Sequence, residues 1–127
     1  MDRTILVATA GQGILRSSDD GLSWKRLDLE QDIEFDGVVR CLVVHPQDPR
    51  TIFAGADVGI CRSTDGGVNW KRIDSPLNGM TVWSMAIDAR NPQHMLAGTG
   101  APSRAAMFRS TDGGNTWKRL PPEIPEF

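Results

Sequence analysis

Apolar residues in this chain fall in short runs, never in long ones. Ile5-Leu6-Val7-Ala8, Val39-Arg40-Cys41-Leu42-Val43-Val44, Thr51-Ile52-Phe53-Ala54 and Val82-Trp83-Ser84-Met85-Ala86-Ile87 are the clearest. Turn formers separate them: His45-Pro46, Asp48-Pro49 and Asn91-Pro92. Short runs rich in β-branched residues and bounded by Pro, Gly and Asp read as strands. With 13 Gly and 8 Pro in 127 residues, many tight turns are expected. The pattern predicts an all-β chain.

The pattern also repeats. Arg16-Ser17-Ser18-Asp19-Asp20-Gly21-Leu22-Ser23-Trp24-Lys25-Arg26-Leu27 returns as Arg62-Ser63-Thr64-Asp65-Gly66-Gly67-Val68-Asn69-Trp70-Lys71-Arg72-Ile73. It returns again as Arg109-Ser110-Thr111-Asp112-Gly113-Gly114-Asn115-Thr116-Trp117-Lys118-Arg119-Leu120. The tryptophans are 46 and 47 residues apart. The flanks match too: Arg3–Thr9 corresponds to Arg50–Ala56 and to His94–Thr99, and Val39–Val44 to Val82–Ile87. Each unit is therefore four short strands, expected in the second at about 38–44, 51–56, 59–63 and 69–73. The Ser-x-Asp-x-Gly segment makes the turn between strands three and four. Its Ser and Asp can bond backbone amides a few residues on, Gly supplies a positive φ, and the Trp ring folds over the turn. Four-stranded units of this length, arranged radially, describe β-propeller blades.

These residues resemble the BNR or Asp-box repeat, Ser-x-Asp-x-Gly-x-Thr-Trp. The third copy matches it throughout (Ser110, Asp112, Gly114, Thr116, Trp117), while the first two carry Ser23 and Asn69 at the Thr position. The resemblance implies that Ser17, Asp19, Gly21 and Trp24, Ser63, Asp65, Gly67 and Trp70, and Ser110, Asp112, Gly114 and Trp117 are structural parts of blades. The family includes sialidases, endoglucanases, sortilin-type receptors and an assembly factor, so it implies the fold and hardly constrains the function.

Residues 1–9 already match strand two, so the first blade, 1–27, lacks its first strand. Blade two spans 38–73, blade three 81–120, and the proline-rich 121–127 reads as linker. The count is three, four and four strands, eleven in all. Three blades do not close a ring. The expectation is an incomplete propeller, the N-terminal part of a larger one, whose partners are the remaining blades of the same polypeptide or a second copy.

Fourteen basic residues against sixteen acidic give a net charge of −2. No basic cluster points to nucleic acid or an anionic membrane. The N-terminus, with Asp2 and Arg3, is no signal peptide, no apolar run reaches membrane-spanning length, and cytoplasmic is the expected location. Cys41 and Cys61 are expected on strands one and three of one blade, about 9–10 Å apart and beyond disulfide reach. His45 and His94 fall in different blades, so no metal site is expected. Gly11-Gln12-Gly13 after an apolar strand mimics a dinucleotide fingerprint, but Arg16 replaces the third Gly and an aspartate turn follows rather than a helix; no cofactor is expected. The Lys-Arg pairs at 25–26, 71–72 and 118–119 read as charge protecting outer edge strands.

Propeller ligands usually bind at the channel mouth, opposite the aspartate turns. That mouth is expected to receive Leu27–Gly37, Ala56–Gly59, Asp74–Thr81 and Thr99–Ala106, the first of them acidic (Asp28, Glu30, Asp32, Glu34, Asp36). Arg40 and Trp83 hold equivalent positions near it and, with Asp36, Asp57, Asp74 and Arg104, form the candidate constellation for a protein or carbohydrate ligand. No convincing nucleophile is present. Sialidases use a Tyr nucleophile and other glycosidases paired carboxylates; this chain has no Tyr. A non-catalytic interaction or ligand-binding scaffold is the reading expected, with part of a sialidase- or endoglucanase-like glycoside hydrolase as the alternative.

Overall fold

The structure is a computed structural model, described here for residues 3–27 and 36–121. Among these residues, eleven strands form three antiparallel sheets. The first sheet holds β1 (Ile5–Ala8), β2 (Ile14–Ser17) and β3 (Lys25–Leu27). The second holds β4 (Val39–Val44), β5 (Ile52–Ala56), β6 (Gly59–Ser63) and β7 (Lys71–Arg72). The third holds β8 (Val82–Ile87), β9 (Met95–Thr99), β10 (Ala106–Ser110) and β11 (Lys118–Arg119). Strand order in each sheet follows the sequence, as in propeller blades, and the arrangement is open. The acidic stretch 28–35 and the tail 122–127 lie outside the described residues.

Strand four is shorter than the expected 69–73. Asn69 and Trp70 are engaged by the turn itself, the first through Asp65 and the second through Gly67; Lys71 and Arg72 form the strand against β6, and the Ile73 amide adds a bond to the Ile60 carbonyl at 2.8 Å. The Lys-Arg pairs do form the outer edge of every sheet. Gly11–Gly13 closes the β1–β2 hairpin, with Thr9 Oγ1 donating to the Gly13 carbonyl at 2.7 Å, and no helix follows. Cys41 and Cys61 form no disulfide and are separated by β5, and burial pushes the Cys41 thiol above its usual range.

The core lies between sheets. Ile52, Ala54 and Ala56 of β5 pack with Ile14, Val39, Val58 and Trp70 toward the first sheet. Phe53 of the same strand joins Val82, Met95, Phe108 and Trp117 toward the third. All five residues of β5 are buried, because blade two is covered on both faces. The equivalent strand β9 alternates instead: Met95, Ala97 and Thr99 are buried and Leu96 is exposed. Only one face of that blade has a neighbour among the described residues. Identical patterning thus yields different burial according to position in the stack.

Candidate functional site

The repeated aspartate turn has one architecture in all three blades. Ser63 Oγ donates to Asp65 Oδ1 at 2.7 Å and accepts the Gly67 amide at 2.9 Å. Ser17 and Ser110 do the same with Asp19 and Gly21, and with Asp112 and Gly114. The glycines have φ between 90° and 92°, a conformation costly for residues with Cβ. The second carboxylate oxygen accepts from the side chain at the Thr position: Ser23, Asn69 or Thr116. All three can donate, which explains why that position varies. Each Trp Nε1 donates to the glycine carbonyl, at 3.0, 2.9 and 2.9 Å.

These bonds hold the Asp19, Asp65 and Asp112 carboxyls down to about 2. The largest cause is the Ser23 hydroxyl for Asp19, the Asn69 amide N–H for Asp65 and the Thr116 hydroxyl for Asp112. A folded value below the unfolded one stabilises above the unfolded value, near pH 4, and that contribution disappears as pH falls toward 2. Urea midpoints should therefore drop between pH 5 and pH 2.5. Asp65→Asn should lower the midpoint at pH 6 and flatten this dependence; a midpoint unchanged across the range would contradict the role of the turns.

The turns also join blades. A Cβ on Gly67 would lie 2.8 Å from Leu6 Cδ1, and one on Gly114 2.8 Å from Phe53 Cε1. Each turn therefore seats its glycine on strand two of the blade before it. Arginines tie the same junctions: Arg16 Nε donates to the Gly66 carbonyl at 3.2 Å, and Arg62 donates to Asn115 Oδ1 at 2.7 Å. Sequence reasoning missed this use of the arginines, although Arg16, Arg62 and Arg109 precede the serine in every copy.

Registers place the hairpin end Ala56–Gly59 opposite the aspartate turn, which follows Ser63. Arg40 and Trp83 begin the inner strands at that hairpin end. Both sit where pairing shifts register, between Val39 and Cys41 and between Val82 and Ser84. A β-bulge turns one residue out of the alternation and re-aims its side chain. Here the two re-aimed side chains meet: the Arg40 guanidinium lies 4.1 Å from the Trp83 ring centroid. Arg40 Nε also donates to Asp57 Oδ1 at 2.8 Å, both side chains being largely buried. Trp83 Nε1 donates to the Ala101 carbonyl at 2.9 Å, and its ring stays half-exposed.

The other expected residues are not part of this contact. Asp36 caps the Val38 amide at 3.0 Å. Asp74 accepts from Asn78 Nδ2 at 2.8 Å. Arg104 is exposed, and its carbonyl accepts from Thr99 Oγ1 at 2.8 Å. Among the described residues, no group of three or more His, Cys, Asp and Glu side chains is placed to hold a metal ion. No helix there is long and apolar enough to cross a membrane.

Fold and site together define an open β-propeller segment carrying an aromatic–arginine–aspartate platform at one end of its strands. Solved structures of the same fold include an ancestral GH74 enzyme, matched with a TM-score of 0.75 and 23% identity over 92% of this chain and 16% of that one. The GH74 enzyme of Niastella koreensis is matched with a TM-score of 0.69 and 18% identity over 91% of this chain and 19% of that one. The chain thus spans less than a fifth of either protein. No family model matches the sequence, and no curated protein does.

Proposed function

We propose that the chain is a non-catalytic Asp-box propeller module, three blades at 1–27, 38–73 and 81–120 with a linker at 121–127, that binds a carbohydrate at the Arg40–Trp83–Asp57 platform. It works as part of a larger ring completed by further blades of its polypeptide or by a second copy. The observation that carries this reading is the state of the platform: Asp57 is committed to Arg40, Arg40 is stacked on Trp83, and half of the indole stays open. An open aromatic surface beside a few fixed polar groups is the composition of a binding site. Sugars offer C–H faces to the indole and hydroxyls to the guanidinium and carboxylate edges. Glycoside hydrolysis of the endoglucanase type needs two carboxyl groups at a defined separation, one free to act as acid; the carboxylate at the centre of this platform is instead held in an ion pair.

The glycoside hydrolase reading is the alternative, favoured by the GH74 enzymes that share the fold. Calorimetric titration with soluble β-glucan oligosaccharides tests the carbohydrate site. Trp83→Ala should weaken binding at least about tenfold, the loss expected for one stacked aromatic contact, in a variant that still folds and loses about 1–2 kcal/mol with the Ala101 bond and the Arg40 contact. Equal affinity of wild type and variant, or no heat of binding to either, would overturn the carbohydrate reading.

A further inference from the structure

The outer face of blade three holds an apolar groove of about 710 Å³ lined by Ile87, Leu96, Met107, Arg109 and Thr111 among others. At both junctions inside the chain the next blade's turn covers the equivalent position, although a groove of about 600 Å³ remains beside Leu6. Leu6, Phe53 and Leu96 occupy one register position, paired with Arg16, Arg62 and Arg109. Leu6 receives Gly67 and Phe53 receives Gly114, and the paired arginine bonds the arriving turn each time. At the third position Leu96 is 41% exposed where Phe53 is 1% exposed, and Arg109 makes no such bond among the described residues.

Blade one presents the complementary half. Its aspartate turn seats on no other blade among the described residues: Trp24 is 44% exposed where Trp70 and Trp117 are 5% and 6% exposed, and Leu22 is 87% exposed. One residue of this turn departs from the other copies. Asp20 stands where they have Gly66 and Gly113, in the left-handed conformation at φ 61°. Gly66 is the residue whose carbonyl receives Arg16 from the blade before. The blade-one turn therefore carries an aspartate at the residue position that receives the preceding blade's arginine at the first junction, with its Oδ1 accepting the Arg3 amide at 2.7 Å.

We propose that two copies of this chain join head to tail, the blade-one turn of one (Asp20, Gly21, Leu22) seating on the blade-three face of the other (Leu96, Met107, Arg109). The occupant is a second copy because the chain carries both halves of a junction it already makes twice internally, and because Asp20 and Arg109 are of opposite charge. Such a contact is heterologous, so the two faces are different and each copy has one of each. The proposal rests on the incomplete-propeller reading above, and its test uses no carbohydrate, so either can fail while the other stands.

Sedimentation of the full chain over micromolar to high micromolar concentration should show self-association that weakens with salt. Leu96→Glu and Leu22→Glu, both at exposed positions, should each be monomeric. Mixed in equal amounts they should form a 1:1 pair that grows no further, because one intact face of each kind remains. Asp20→Asn keeps the acceptor for the Arg3 amide and the left-handed preference, and should weaken association about tenfold with most of its salt dependence lost. A wild type monomeric throughout would overturn the proposal and mean that some other segment covers the groove. Self-association retained by Leu22→Glu would overturn it in favour of like-face pairing, and a mixture that stays monomeric would equally contradict it.

Discussion

Replacing Trp70 with Ala is expected to destabilise the chain by about 3–5 kcal/mol, the range for truncating a buried aromatic. The ring is 5% exposed, lies in the core between blades one and two, and bonds the Gly67 carbonyl. At this chain length that loss lowers the melting temperature by roughly 12–20 °C. Trp24→Ala removes the same residue from the same turn, but at a site 44% exposed, with no other blade against it among the described residues. Its cost should be about 1–2 kcal/mol, one hydrogen bond and a partly buried ring. The comparison separates two roles of the tryptophan. Equal losses would mean that the residue matters only to its own turn; unequal losses place most of its contribution at the blade junction. Thermal melts of the two variants in dilute solution decide it.

Gly55→Ala should be strongly destabilising although it adds a single methyl at a position with ordinary strand backbone. The added Cβ would lie 2.6 Å from Cys41 Sγ, 2.8 Å from Val82 Cγ1 and 2.9 Å from the Val82 carbonyl. Two of those atoms belong to the next blade, and one is backbone, so relief requires moving blades two and three apart. Overpacking of this kind costs about 1–3 kcal/mol and sometimes more, and the upper end is expected here. Gly98 holds the same register position one blade later, where a Cβ meets only the Ser84 hydroxyl at 3.2 Å. Gly98→Ala should change stability by less than about 1 kcal/mol in either direction. Denaturant midpoints measure both. A tolerated Gly55→Ala would refute the close approach of β5 and β8.

The blades were legible because each copy carries its own complete instructions for a hairpin. Ser, Asp, Gly and Trp of the aspartate turn bond only to one another and to amides within four residues, so their pattern survives in a linear reading. Strand four was overestimated because Asn69 and Trp70 look like strand residues yet are spent on the turn. What depends on neighbouring blades was not visible. Gly55 and Gly98 read alike in sequence, and only stacking distinguishes them. The candidate constellation was legible in part: Arg40, Asp57 and Trp83 meet, whereas Asp36 and Asp74 satisfy groups two to four residues away. The two bulges that bring Arg40 and Trp83 together are properties of strand pairing, and no residue at either position announces one.

The repeated arginines show how a signal can be present and unread. Arg16, Arg62 and Arg109 recur at one point of the repeat, yet within a single unit they look like exposed edge charge. Their role appears only when the following blade supplies the acceptor. The departure at Asp20 is of the same kind, a change inside an otherwise constant turn whose consequence lies outside its own blade.

Reducing-end release from a panel of soluble β-glucans tests the central claim most directly. With Asp57 held by Arg40, the purified chain should produce no more reducing ends than a buffer blank over a day of incubation. Turnover by the wild type that vanishes in a folded Asp57→Asn variant would contradict the account and assign that carboxylate to catalysis.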